Sequence, residues 1–151
     1  MRVEALIRRT PVTISPGATI RQAAEVFSRE KIGLLVVATS VSPVKAQAVI
    51  SERDVVRAVA KGTALTAQLD TIATKKLVGV KRSDMPSKAV RLMMENGIRH
   101  LVVENEDGTL FGVLSIRDFF REAKLLRGFL EDESQEVHGV DYAERTVHSH
   151  E

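Results

Sequence analysis

Two serine–aspartate pairs carry the chemistry that can be read from this sequence. Ser51-Glu52-Arg53-Asp54 and Ser115-Ile116-Arg117-Asp118 set a hydroxyl and a carboxylate three residues apart, each straight after an apolar run, Val49-Ile50 and Val113-Leu114. A strand that turns into a helix there leaves the first helical N–H groups unpaired, with partial positive charge that suits a phosphate. The serine adds a donor, and a carboxylate one turn inward can accept both hydroxyls of a ribose. The same residues also fit a capping box, in which the serine oxygen accepts from the helix and the acid reaches back to the serine N–H. Duplication does not separate the two readings, because copying a fold copies its caps.

The elements that must position these corners recur as well. Val3–Ile7 reads as a short helical lead, and Thr10-Pro11-Val12-Thr13-Ile14 as extended chain, since Pro11 disfavours helix before it. Thr19 caps a helix whose apolar face is Ile20, Ala23, Ala24 and Phe27, closed at Gly33. Leu34–Val37 and Ala48–Ile50 are strands, and the helix opened by Ser51 stops near Gly62. Shifted by 66 residues, the order returns: lead Leu69–Ile72, extended Val78–Val80, a helix from Pro86 bearing Ala89, Val90 and Met93, a stop at Gly97, and Leu101–Val103. Glu106-Asp107-Gly108 is a hairpin turn, after which the offset falls to 64. Each unit is helix, strand, helix, strand, strand, helix. A unit of roughly 60 residues is marginal alone, so the two copies are expected to share a core as a pseudo-twofold α+β pair packed through their sheets, with a cleft between them.

The balance of the 151 residues, 44% apolar and 28% charged, is that of an ordinary globular chain. No apolar run reaches the roughly 18 residues of a membrane helix, the start lacks the pattern of a secretory signal, and a cytoplasmic location is the default expectation. The absence of cysteine excludes disulfides and thiolate chemistry. Residues 131–151 hold seven acids and one arginine, a net −6, against +8 for the rest. That basic body is one argument for nucleic acid, but aromatics are only 4% and the bases are scattered, which argues against it. No Gly-x-Ser-x-Gly elbow, Walker loop or His-Glu-x-x-His occurs, so neither catalytic residues nor a metal are expected. His138, His148 and His150 lie in the acidic tail without the scaffold of a zinc site.

Both copies resemble CBS domains, named for cystathionine beta-synthase, and residues 1–128 resemble a tandem pair. The resemblance rests on Pro11–Ile14, Ile32-Gly33-Leu34-Leu35-Val36-Val37 and Ser51-x-x-Asp54, then Leu77–Val80, Gly97-Ile98-Arg99-His100-Leu101-Val102-Val103 and Gly112-Val113-Leu114-Ser115-x-x-Asp118. It implies repeats at 1–64 and 65–130 and an adenine nucleotide held in the cleft without turnover; the acidic composition of 131–151 reads as a flexible tail. AMP is the first expectation, followed by ADP, ATP or S-adenosylmethionine, with no further cofactor.

In the family each site joins the serine–aspartate corner of one repeat to a base-lining segment of the other. The resemblance therefore implies a first site of Ser51 and Asp54, with Val78, Gly79, Val80 and Ile98 at the base and Arg99, His100 and Arg117 toward the phosphates. It implies a second site of Ser115 and Asp118, with Thr13, Ile14, Ile32 and Gly33 at the base and Arg53 near phosphate. The sites are unequal, because Gly33-Leu34 stands where the second copy has Arg99-His100. Arginine keeps its charge and forks onto phosphate oxygens, so the first site is favoured for a charged ligand. Ala48 in place of Gly112 is expected to narrow the first corner. The family also implies a homodimer and signalling to an unidentified effector. Leu125, Leu126, Phe129 and Leu130 continue the last helix beyond the repeat, either as a dimer contact or packed back onto the chain's own core. The rival readings are nucleic-acid binding and a structural dimer whose serine–aspartate corners only cap helices.

Overall fold

Thr19 starts the first helix as the sequence expects. Its hydroxyl oxygen accepts from the Gln22 amide at 3.1 Å, and the Gln22 side chain accepts from the Thr19 amide at 2.8 Å, a complete capping box. The computed structural model describes residues 1–39, 41–121 and 127. Its first repeat has lead 1 (Val3–Leu6), β1 (Thr13–Ile14), α1 (Ile20–Glu30), β2 (Leu34–Val37), β3 (Ala48–Ser51) and α2 (Glu52–Ala60). Its second has lead 2 (Leu69–Thr71), β4 (Gly79–Lys81), α3 (Pro86–Asn96), β5 (His100–Glu104), β6 (Leu110–Ser115) and α4 (Ile116–Phe120). Both leads are single turns of 3-10 helix. The expected continuation through Leu125–Leu130 and the tail fall outside the described residues, apart from Arg127.

Met1–Asp118 form one unit containing both sheets, and a second unit begins at Phe119. The sheets have the same plan, a parallel pair followed by an antiparallel one: β1-β2-β3 and β4-β5-β6. Ile20, Ala23 and Phe27 turn inward from α1 onto Leu35, Val37 and Ile50, while Ala24 is half-buried. One expected stop moves. The first helix is closed by Lys31, which takes the left-handed conformation at φ 55° and donates to the Phe27 carbonyl at 2.9 Å, so Gly33 is not the terminator. Gly97 does close α3, at φ 60°.

The leads are exchanged between the repeats. Leu69 of lead 2 is fully buried in the first repeat's core, and its amide donates to the Ala18 carbonyl at 2.8 Å. Thr74 bridges the edge of β3 at Val49 through hydrogen bonds of 2.8 and 2.9 Å. In return Val3 and Glu4 donate to the carbonyls of Asp84 and Arg82 at 2.9 and 3.0 Å. Glu4 pairs with Arg82 at 2.6 Å, and the Arg82 guanidinium lies 4.1 Å above the centre of the Phe111 ring. This exchange also gives Gly112 a role. A Cβ on Gly112 would meet Ile7 at 3.0 Å, so that glycine makes room for the incoming lead; Ala48 is simply buried in the first core.

Candidate functional site

The strand-to-helix corner of the first repeat is built by β3 and α2. Ser51 Oγ accepts from the Asp54 amide at 3.1 Å, and Asp54 Oδ2 accepts from the Ser51 amide at 2.9 Å. The capping reading of the motif is therefore realised. It engages one carboxylate oxygen, while the other, Oδ1, lies 3.8 Å from the Arg57 guanidinium. That distance is long enough to leave Oδ1 room for another donor.

The second corner is related but not identical. Ser115 donates its amide to Asp118 Oδ2 at 2.8 Å, while Ser115 Oγ accepts from Arg117 N at 3.2 Å, one residue earlier than in the first copy. Each corner is tied to the residue just before the neighbouring strand, Glu52 N donating to the Gly33 carbonyl ahead of β2 at 3.2 Å and Ile116 N to the Arg99 carbonyl ahead of β5 at 2.8 Å. Arg53 and Arg117 are exposed at equivalent positions.

His100 joins the repeats. It opens β5 in the second repeat, yet its Cε1 and Nε2 atoms lie 3.1 and 3.3 Å from where a Cβ on Gly33 would stand. Glu52 Oε1 is 3.4 Å from the same point. A side chain at residue 33 would displace the imidazole, so glycine is what allows His100 to reach the first repeat's corner. Burial holds the His100 pKa below the ordinary histidine value; the Asp118 charge pulls it upward, and Arg117 and Arg99 push it down.

Of the first predicted set, Ser51, Asp54 and His100 are brought to one region. Val80 is buried in β4 and pairs with Val103; Gly79 pairs with Val102, two residues along β5 from His100. The Val78 carbonyl accepts from Val102 at 3.2 Å, Ile98 is half-buried just past α3, and Arg99 is exposed. Of the second set, Ser115 is paired with His100 across the β5–β6 ladder, the Asp118 charge acts on the same imidazole, and Gly33 lies against its ring. Thr13 and Ile14 line an open depression of about 680 Å³ with Ser15, Val26 and Arg29. Ile32 packs against the first core, and Gly33 belongs with His100. Sequence reasoning passed over Glu52. The signal was available: the repeats match at Ser, Arg and Asp but place Glu52 against Ile116.

The His100 pKa gives a testable sign. A histidine whose folded pKa is lowered stabilises the fold above its unfolded pKa, and that stability is lost as pH falls through the unfolded value toward the folded one. Stability of the free protein should therefore decline on acidification below about pH 6.5, and more gently in His100→Gln. A bound phosphate would favour the imidazolium and draw in a proton, so affinity for a phosphate ligand should rise over the same interval. Denaturant melts and calorimetry at several pH values check both slopes; parallel slopes in wild type and variant would remove His100 from the account.

Comparison with known proteins gives matches over most of the chain. The family model described as the CBS domain matches residues 3–61 and 69–124. An AMP-complexed CBS domain protein of Pyrobaculum aerophilum is 37% identical, aligning 87% of this chain with 99% of that one at a TM-score of 0.78. A CBS-domain protein of Agrobacterium tumefaciens is 31% identical, with 78% and 89% covered and a TM-score of 0.70. An uncharacterized 17.7 kDa protein of Acidianus ambivalens is 34% identical over 108 residues, 72% of this chain and 64% of the relative's length. An inosine-5'-monophosphate dehydrogenase of Chlorobaculum parvum matches at 27% over 78% of this chain, which spans only 24% of that enzyme.

Proposed function

Because the chain belongs to the CBS-domain family, we propose that it is a non-catalytic regulatory module that binds an adenine nucleotide, AMP foremost, between its two repeats. The observation that carries this reading is His100 of the second repeat seated on Gly33 beside the Ser51–Asp54 corner of the first. A hydroxyl, a carboxylate and a helix N-terminus come from one repeat, and the histidine and its neighbouring arginines from the other. The AMP complex of the Pyrobaculum aerophilum relative supports the choice of ligand.

In this reading Ser51 and Asp54 hold ribose and phosphate, Val78, Gly79, Val80 and Ile98 line the base, and Arg99, His100 and Arg117 face the phosphate. The corner of Ser115 and Asp118, with Thr13, Ile14, Ile32, Gly33 and Arg53, forms the weaker second site. ADP, ATP and S-adenosylmethionine are the next ligands to try. A ligand bridging the repeats favours one relative orientation of them, and it shifts the population only as far as its affinities for the two states differ. The module passes that change to an effector. It works in the cytoplasm as a homodimer, for which the exposed Val56 and Val59 on α2 and Met94 on α3 supply apolar surface.

Isothermal calorimetry with AMP, ADP, ATP and S-adenosylmethionine tests the proposal. Saturable binding of AMP is the expected result. Failure of all four to bind at millimolar concentration removes the nucleotide reading and leaves the capping boxes as purely structural devices.

A further inference from the structure

Glu52 is the first residue of α2, and its amide is anchored to the Gly33 carbonyl at 3.2 Å. Its carboxylate Oε1 shares with the His100 ring the small space over the Gly33 backbone, at 3.4 Å against 3.1 and 3.3 Å from one common point. The charged groups around the imidazole are Asp118, Arg117 and Arg99. Glu52 thus sets a carboxylate of the first corner beside the His100 ring, whereas the second corner has Ile116 at the matching position.

Resting on the nucleotide reading above, we infer that Glu52 makes the first corner selective for nucleoside monophosphates over di- and triphosphates. A single phosphate at the α2 N-terminus is served by the helix N–H groups and the cations. Each further phosphate lengthens the anionic chain within the space that Glu52 occupies and adds like-charge repulsion. With solvent screening, one such charge pair near a surface changes affinity by about fivefold. An apolar residue at position 52 would remove that repulsion and favour the longer chain.

The test is calorimetry of the full chain with AMP and with ATP, for wild type and Glu52→Gln. The amide keeps the shape of the side chain and removes its charge. ATP affinity should rise about fivefold while AMP changes by about twofold or less, and added salt should close the gap. Ile116→Glu, at the other corner, should leave the AMP-to-ATP ratio of the first site unchanged. If Glu52→Gln moves both ligands equally, or neither, the inference fails while AMP binding by wild type keeps the nucleotide reading intact. If wild type binds neither ligand, that reading fails and this inference with it.

Discussion

Asp54→Ala should reduce AMP affinity on the order of a hundredfold, through the loss of charge-assisted hydrogen bonds worth about 1.5–3 kcal/mol each. The same change removes half of a capping box, because Asp54 Oδ2 accepts from the Ser51 amide at 2.9 Å. It should therefore also lower stability by about 1 kcal/mol. The two effects separate in Asp54→Asn, whose side-chain oxygen can still cap while the charge is gone. Asp54→Asn should unfold close to wild type in urea yet bind AMP weakly in calorimetry. Full affinity in Asp54→Asn would mean that the carboxylate serves the fold alone. Asp118→Ala, at the other corner, should leave the tighter site in place. Equal losses in both variants would contradict the inequality of the two sites.

Gly79→Ala should destabilise the protein by about 3 kcal/mol, read as an earlier urea midpoint with unchanged slope. A Cβ on Gly79 would stand 2.6 Å from the carbonyl oxygen of Val102, a distance that requires something to shift. The obstacle is backbone inside the β4–β5 ladder, where Gly79 is paired with Val102 itself. No rotamer change relieves it. Relief means moving β4 away from the strand that begins at His100, so the variant should lose AMP affinity together with stability. Gly17→Ala is the control, since its added methyl meets only Ser15 Oγ at 3.8 Å. A Gly79→Ala protein as stable as wild type would show that β4 can move off Val102 at little cost.

Much of the fold was legible because its signals are local. The apolar spacing of Ile20, Ala23 and Phe27 depends only on the helical repeat. Ser51 and Asp54 find each other across one turn whatever the rest of the chain does. The left-handed stop at Gly97 is likewise a short-range preference. The misreading was long-range. Gly33 was read as a helix stop, but Lys31 makes that turn, and the glycine serves a contact with a residue 67 positions along the chain. Gly112 likewise clears space for Ile7 from the chain's start, a need that no neighbouring residue signals.

By itself the sequence determined the duplicated unit, the order of its elements, the two capped corners and the inequality between them, since each follows from propensity, periodicity or residue identity at matching offsets. Only the tertiary structure decided that each lead is buried by the opposite repeat, which scaffold each glycine relieves, and that Glu52 and His100 meet over Gly33. Those outcomes depend on which surfaces fit when distant segments meet. That is a matter of packing between whole elements, to which no local pattern along the chain corresponds.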